Sequence, residues 1–568
     1  MGMSIGRRLS CCVTVIAALT CSIAVLAKDK NKENNSPVKF TARTELVLIP
    51  ALVTDKSGNH ISGLKKEDFT VLESGVEQKI ATFEEISSDA RRLSRPRNPN
   101  EFSNSLVGGQ SARRITLIVL DFINTPFWDQ AYARQELLKY LTQSVDQREP
   151  TGLYTLTRNG IHVIHDFTTD PRVLVAALHK VKGDAVQMVD SEEVVEAATG
   201  SASPDGSAGV DPAAVQSEAN RLQTMIEDAE LNFKSFEQRL AITYTLQGMQ
   251  QLSQALAGFP GRKSLIWAGG GFPFSVSDNT MQLAPPGRES LTDVLPMYEH
   301  TWQLLNDAQI ALYPLDVKGL QVNTPGASVR NPGRNYVRNM NWKQLDTQAT
   351  FQTFASATGG RAYYNSNDLV EGFRDAVRDS AQYYMLGYYL DRSNTKSGWR
   401  KLAVKVKRGN SQVRARGGFF VTNATVDPEN SRNNDLGSAL QSPLDFTSLA
   451  LVARWGSVEP GKEPGKKHVN YEMRLAVDAV LIDEADNNHI ALEFVALAKT
   501  PAGKQADQPV GRTIDAHLTS EKVSVIRQNG VAYRGALDLA PGEYTVRFVA
   551  RDNLSGRIGS VAAPLKVE

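Results

Sequence analysis

The chain has 568 residues, a formal net charge of +1, 41% hydrophobic and 22% charged residues. That length suits roughly three or four domains with ordinary hydrophobic cores and excludes an intrinsically disordered chain. Near-neutral charge excludes bulk attraction to nucleic acid or to an anionic membrane surface.

All three cysteines, Cys11, Cys12 and Cys21, lie in the first 27 residues. There Arg7 and Arg8 precede an uncharged stretch from Leu9 to Ala27 that ends in small residues before Lys28. This is the layout of a secretory signal over residues 1–27. The expectation is a periplasmic or secreted protein without stable membrane insertion, disulfide or thiolate nucleophile.

Residues 38–86 follow as a β segment, with runs at Glu45–Thr54, Phe69–Glu73 and Gln78–Phe83. Three or four short strands bury too little to stand alone. The segment is therefore expected to pair with strands at 382–421 in one discontinuous sandwich, carrying the intervening domain as an insertion. Residues 87–112, rich in Ser, Arg, Asn and Pro, read as a linker.

The unbroken apolar run Ile115–Leu120 ends at Asp121, Asn124 and Thr125, as a doubly buried parallel strand opening onto a polar loop does. An amphipathic helix follows, with Ala133, Leu137, Leu138, Leu141 and Val145 at helical spacing. Further strands are read at 152–157, 161–165, 263–268 and 309–316, and Asp170 with Pro171 opens a helix over 173–181. An acidic insertion at 184–212 precedes a breaker-poor helical region to Leu256. In such open α/β sheets ligands gather at the carboxyl ends of the strands. The residues to watch there are Asp121, Asn124, Thr125, Gly269, Gly270 and Asp316, with the basic loop bearing Arg330, Arg334 and Arg338. After a linker at 422–444, residues 445–568 alternate as an immunoglobulin- or fibronectin-like sandwich.

Four motifs occur in order: ITLIVLDFINTPF (115–127), REPTGLYTLTRNGIHVIHDFTTDP (148–171), GRKSLIWAGGGFP (261–273) and FASATGGRAYYNSNDL (354–369). Together they resemble the von Willebrand factor A-related domain proteins best known from acidobacteria. The resemblance implies a Rossmann-like open sheet over residues 113–381, flanked by all-β sandwiches. It also implies protein binding, in the wider superfamily often through a cation held by an Asp-x-Ser-x-Ser loop with a Thr and an Asp from neighbouring loops. Here Asp121 matches the first carboxylate and Thr125 the second hydroxyl. Ile123 replaces the first serine, and Ala268-Gly269-Gly270 stands where the further carboxylate belongs.

Enzymatic motifs are missing: no Gly-x-Ser-x-Gly elbow, no His-Glu-x-x-His, and no Lys-Ser/Thr after the glycine turn. His162 and His165 sit three apart on a strand and so on opposite faces. Residues 483–488, Asp-Glu-Ala-Asp-Asn-Asn, read as a solvated hairpin tip. The expectation is thus a non-enzymatic protein-binding or assembly protein without a cofactor, in which Asp121 caps the following helix and Asn124 and Thr125 bond loop amides. The alternative is a magnesium- or manganese-dependent adhesion module on Asp121 and Thr125. An outside reading is a hydrolase using Asp121 and Asp316.

Overall fold

The computed structural model describes residues 44–87, 100–104, 115–143, 150–181, 212–277, 280–282, 294–319, 347–379, 381–391, 396, 398–421, 428–477 and 479–568. Residues 1–27, read above as a secretory signal, nearly all of the expected insertion 184–212, and Arg330, Arg334 and Arg338 lie outside these residues. A small unit, Met1–Glu45 with Leu390–Thr395, separates from a large one, Leu46–Tyr389 with Lys396–Glu568. Apart from the ends of two strands, the architecture below belongs to the large unit, a mixed α/β arrangement of several sheets.

In the central domain five strands, β1 (Ile115–Asp121), β2 (Thr151–Thr157), β3 (Gly160–Thr168), β4 (Lys263–Gly269) and β5 (Ile310–Asp316), form a sheet of order β5-β4-β1-β2-β3. All neighbours are parallel except the edge strand β3. Among the described residues six helices accompany it: α1 (Phe127–Gln143), α2 (Pro171–His179), α3 (Pro212–Leu256), α4 (Leu295–Asp307), α5 (residues 347–358) and α6 (Leu369–Arg378). Every residue of β1, β4 and β5 is buried, which explains their unbroken apolar runs. Ile115, Leu117, Val119, Trp267 and Leu312 point to one face and pack with Ile242, Leu246, Met249, Trp302 and Phe354 of α3, α4 and α5. Ile118, Leu120, Ile266 and Tyr313 point to the other and meet Leu137, Leu178 and Phe373 of α1, α2 and α6. Each such aliphatic or aromatic side chain contributes about 1.5–3 kcal/mol by leaving water.

The chain leaves β1 toward β2 and β3 on one side, then returns through α3 to β4 and β5 on the other. The order therefore reverses between β1 and β4, and this is where an open α/β sheet forms its crevice. Asp121 and Gly269 end the two strands that flank it.

Two four-stranded sheets combine the segments that precede and follow the central domain. One orders Gln412–Ala415, Thr44–Thr54, Gln382–Asp391 and Thr82–Ser87; the other orders Gly418–Val421, Gly398–Val406, Phe69–Glu73 and Val76–Gln78. Gln382 pairs with Ser87, so the chain leaves these sheets and returns to them at one point. The sequence suggests a single strand at 413–421. Instead the chain turns at Arg416 and Gly417, and its two halves join opposite sheets.

The C-terminal unit also has two four-stranded sheets around Tyr471, Met473, Phe494 and Phe548. One of its edge strands, Glu101–Ser103, comes from the segment read as a linker at 87–112, which corrects that reading. The anchor is Asn104, 1% exposed. Its Nδ2 donates to the carbonyls of Phe446 (2.6 Å) and Leu449 (2.9 Å), while its Oδ1 accepts the Leu451 amide at 2.8 Å. The linker reading of 422–444 is corrected as well, because a helix at Pro428–Gln441 buries Leu436 and Ala439 against Val495 and Val549. Arg547, itself buried, holds that helix end through the Ala439 carbonyl (3.0 Å) and Asp445 (2.6 Å). Its polar composition hid it, since a helix lying on an already closed sheet needs only a narrow apolar stripe.

Candidate functional site

The loop after β1 is built around one carboxylate. Asp121 is 1% exposed. Its Oδ1 accepts the amides of Ile123 (3.1 Å) and Asn124 (3.0 Å), and its Oδ2 accepts Asn124 Nδ2 (2.7 Å) and Trp267 Nε1 (2.9 Å). Burial pushes the carboxyl above its ordinary range, and these four donors pull it back by stabilising the ionised form. A carboxylate offers about four lone-pair directions, and here all four meet N–H groups.

This differs from the expected helix cap. Asp121 closes the loop two and three residues ahead of itself, whereas α1 begins at Phe127. Asn124 does not reach a loop amide with its side chain; Nδ2 bridges Asp121 and Thr245 Oγ1 of α3, at 3.0 Å. Thr125 does bond an amide, but across the crevice: its Oγ1 accepts the Gly270 N–H at 2.9 Å. The glycines suit this closeness. A Cβ on Gly269 would sit 3.0 Å from Asp121 Cβ, and one on Gly270 would lie 2.9 Å from both the Asn124 carbonyl and Lys318 Cε.

Asp316 ends β5 in register with Gly269. The three positions Asp121, Gly269 and Asp316 thus fall in one row across adjacent strands, with the two aspartates about 10 Å apart at Cα. They do not form a pair. Asp316 Oδ1 accepts the Lys318 amide at 3.0 Å. Burial raises its pKa, Lys318 lowers it, and Asp129 at the start of α1 raises it further. Asp129 is raised by burial in turn and lowered by Lys318, so one lysine serves two acids.

A hard cation needs several oxygen lone pairs turned to one point in near-octahedral array. A cation at Asp121 would have to displace the Asn124 amide or the Trp267 indole. Thr125 Oγ1 keeps one lone pair beside its bond to Gly270, Ile123 has no side-chain ligand atom, and Ala268 to Gly270 bring no carboxylate. The side chains present do not fit such an ion.

Of the residues expected to touch a partner, Asp121, Thr125, Gly269, Gly270 and Asp316 are buried, so they shape the crevice rather than offer surface. Asn124 is half-buried. What the same end does expose is aromatic. Phe127 is 42% and Trp128 81% exposed, and their rings meet edge to face at 5.7 Å. The sequence carried a signal for this, because Trp128 lies about 140° around the helix from Ala133 on the buried stripe. Trp267 and Thr245 carried none, being ordinary core positions until the fold brings them to the loop.

Helix α3 adds a second surface at this end. Glu237 meets Arg158 of the β2–β3 turn at 3.4 Å, and Gln238 donates to the Pro273 carbonyl at 2.8 Å. The helix before them extends past these loops by about 36 Å at 1.5 Å per residue. Along it Leu222, Met225, Ile226, Phe233 and Phe236 are each more than half exposed.

No helix among the described residues is long and apolar enough to cross a membrane. No family model and no curated protein matches the chain. Among solved structures it is similar to the N-terminal domain of TFIIH p34, at 10% identity over 46% of this chain and 96% of that one. The TM-score of 0.18 is too low for that likeness to carry an argument.

Proposed function

We propose that this is an exported, non-enzymatic binding or assembly protein. In this reading the central domain is a degenerate von Willebrand A-type domain that docks a protein partner at the strand-end crevice without a cation. The observation that carries it is the exposed Phe127 and Trp128 pair beside a loop whose buried acid is fully committed internally. Exposed aromatics of this kind are what binding hot spots use. The apolar row on α3 supports the same end as the docking surface.

The metal-dependent alternative asks for several free oxygen ligands, whereas the four donors on Asp121 and the Gly270 amide on Thr125 leave little more than one hydroxyl lone pair. The hydrolytic reading asks for two acids around one reacting atom. Asp121 instead bonds Asn124 and Trp267, while Asp316 bonds the Lys318 amide. Export rests on the layout of residues 1–27, and intact-mass measurement of the exported protein tests it.

Docking is tested by chemical cross-linking in the envelope fraction, comparing wild type, Trp128→Ala with Phe127→Ala, and wild type in EDTA. The expected result is an adduct lost in the aromatic variant and indifferent to chelation. An adduct that survives the variant but disappears in EDTA, with micromolar magnesium binding abolished by Asp121→Ala, would instead establish the adhesion reading.

A further inference from the structure

The C-terminal sandwich carries a second cluster of chemistry-bearing side chains, remote in sequence from the crevice. His489 opens the strand His489–Lys499 and His517 closes the strand Val510–His517; the two are direct cross-strand partners. Their rings stack at 4.8 Å and 15°. Asn487 and Asn488 both take left-handed backbone angles, φ 50° and 57°, and the His489 amide donates to the Asp486 carbonyl at 3.1 Å. This tight turn folds the Asp486 carboxylate back over the histidine pair. Its Oδ2 lies 3.2 Å from His489 Nδ1 and its Oδ1 3.5 Å from His517 Nε2.

Those distances have a chemical meaning. Around a tetrahedral zinc with bonds near 2.05 Å, neighbouring ligand atoms stand about 3.3 Å apart. One ligand atom from each of Asp486, His489 and His517 lies within 4.8 Å of the others, so a small inward rotation closes the set. The second ring nitrogen of His489 is also engaged: Nε2 lies 2.8 Å from Asp515 Oδ1. A carboxylate on the far nitrogen is what fixes the tautomer and orientation of a metal-ligating histidine. His517 and Asp486 are more than half exposed, which leaves a way in for an ion.

We propose that Asp486, His489 through Nδ1, and His517 through Nε2 form a three-ligand site for a borderline divalent transition ion of the zinc class. Asp515 is the orienting residue, and a fourth position stays open to water or to a donor from a partner. Two imidazoles and one carboxylate favour zinc over magnesium or calcium, which want all-oxygen shells.

The test is calorimetric titration of the full chain with zinc chloride and, in parallel, magnesium chloride. Expected are one micromolar zinc site, no magnesium response, and a zinc-dependent rise in melting temperature. Asp486→Asn with His517→Asn should abolish that site while leaving the circular dichroism unchanged, and Asp515→Asn should weaken it by about 10- to 100-fold. Cobalt loaded into the same site should give tetrahedral d–d bands without a thiolate charge-transfer band, which separates it from binding at the N-terminal cysteines. The proposal is overturned if the wild type takes up no zinc at micromolar concentration, or if uptake persists unchanged in the folded double variant. Zinc-free protein in which a protonated His489 simply bridges Asp486 and Asp515 would be the first of these results.

Discussion

Lys263 is the first residue of β4, 1% exposed and flanked in register by Ile115 and Ile310. Its Nζ donates to the Ala308 carbonyl at 2.6 Å. Burial in that setting brings its pKa down to about 7 from the ordinary 10.5. A lowered folded pKa means that the unfolded chain binds more protons between pH 7 and 10.5, so stability must rise with pH through that window. At about 1.36 kcal/mol for each pH unit, the burial of this amine costs about 5 kcal/mol at pH 6 and about 2 kcal/mol at pH 9. Lys263→Met removes this dependence and leaves the Ala308 carbonyl without that donor, a loss of about 1 kcal/mol. The variant should therefore be more stable than wild type by about 3–4 kcal/mol at pH 6 and by only about 1 kcal/mol at pH 9. Hydrogen exchange of the Lys263–Gly269 strand in a urea series at both pH values, corrected for intrinsic rates, reads the central domain alone. Equal pH slopes in the two proteins would refute the reasoning and mean that Nζ stays charged, with water or a counter-ion reaching it.

Two further substitutions test the crevice and the domain's base. Asp121→Ala leaves the Trp267 indole and two loop amides without their acceptor, and should cost the central domain about 2–4 kcal/mol whether or not magnesium is present. The same exchange measurement checks this, and stabilisation by magnesium that only the wild type shows would contradict it. Gly360→Ala would place a Cβ 1.9 Å from the Leu312 carbonyl oxygen, next to Gly359 at φ 80°. Backbone must move to relieve that, so a loss of about 3 kcal/mol or more is expected in denaturant midpoint. A midpoint within experimental error of wild type would mean that the segment joining α5 to the sheet is far looser than its geometry implies.

The parts of this protein that could be read from sequence are those in which one residue's neighbours repeat a simple pattern. Leu117 to Leu120, Leu265 to Ala268 and Leu312 to Leu315 are apolar on consecutive positions because both faces of their strands are covered. Asp121 was legible as the end of such a strand. Its role was not, since one of its four donors is the indole of Trp267, 146 positions away. The strand Glu101–Ser103 escaped notice for a related reason. Three half-buried residues make no periodicity, and what holds them is a distant edge at Val452–Arg454 and the carbonyls that Asn104 fills. Trp128 shows the converse: an aromatic off the buried stripe was visible in the sequence, but only the fold says which end of the sheet it stands on.

The strand pairing around the inserted domain also sets an order of assembly. Leu64 gives its amide to the hydroxyl of Tyr384, 320 positions further on. Apart from the local hairpin of Phe69–Glu73 with Val76–Gln78, the β segment made early in synthesis must therefore wait for its partners while the whole central domain is produced. Its edges stay open for that interval, the kind of surface that invites strand addition from another chain. Pairings so distant in sequence form slowly, because loop closure must precede any contact that rewards it. The central domain, whose parallel strands all lie within one continuous stretch, can close first and, through the Arg262 amide on the Tyr383 hydroxyl, fix the strand that Ser87 then joins. Folding of the first sandwich would then be a templated step, in which the insert acts as the clasp that joins its two halves.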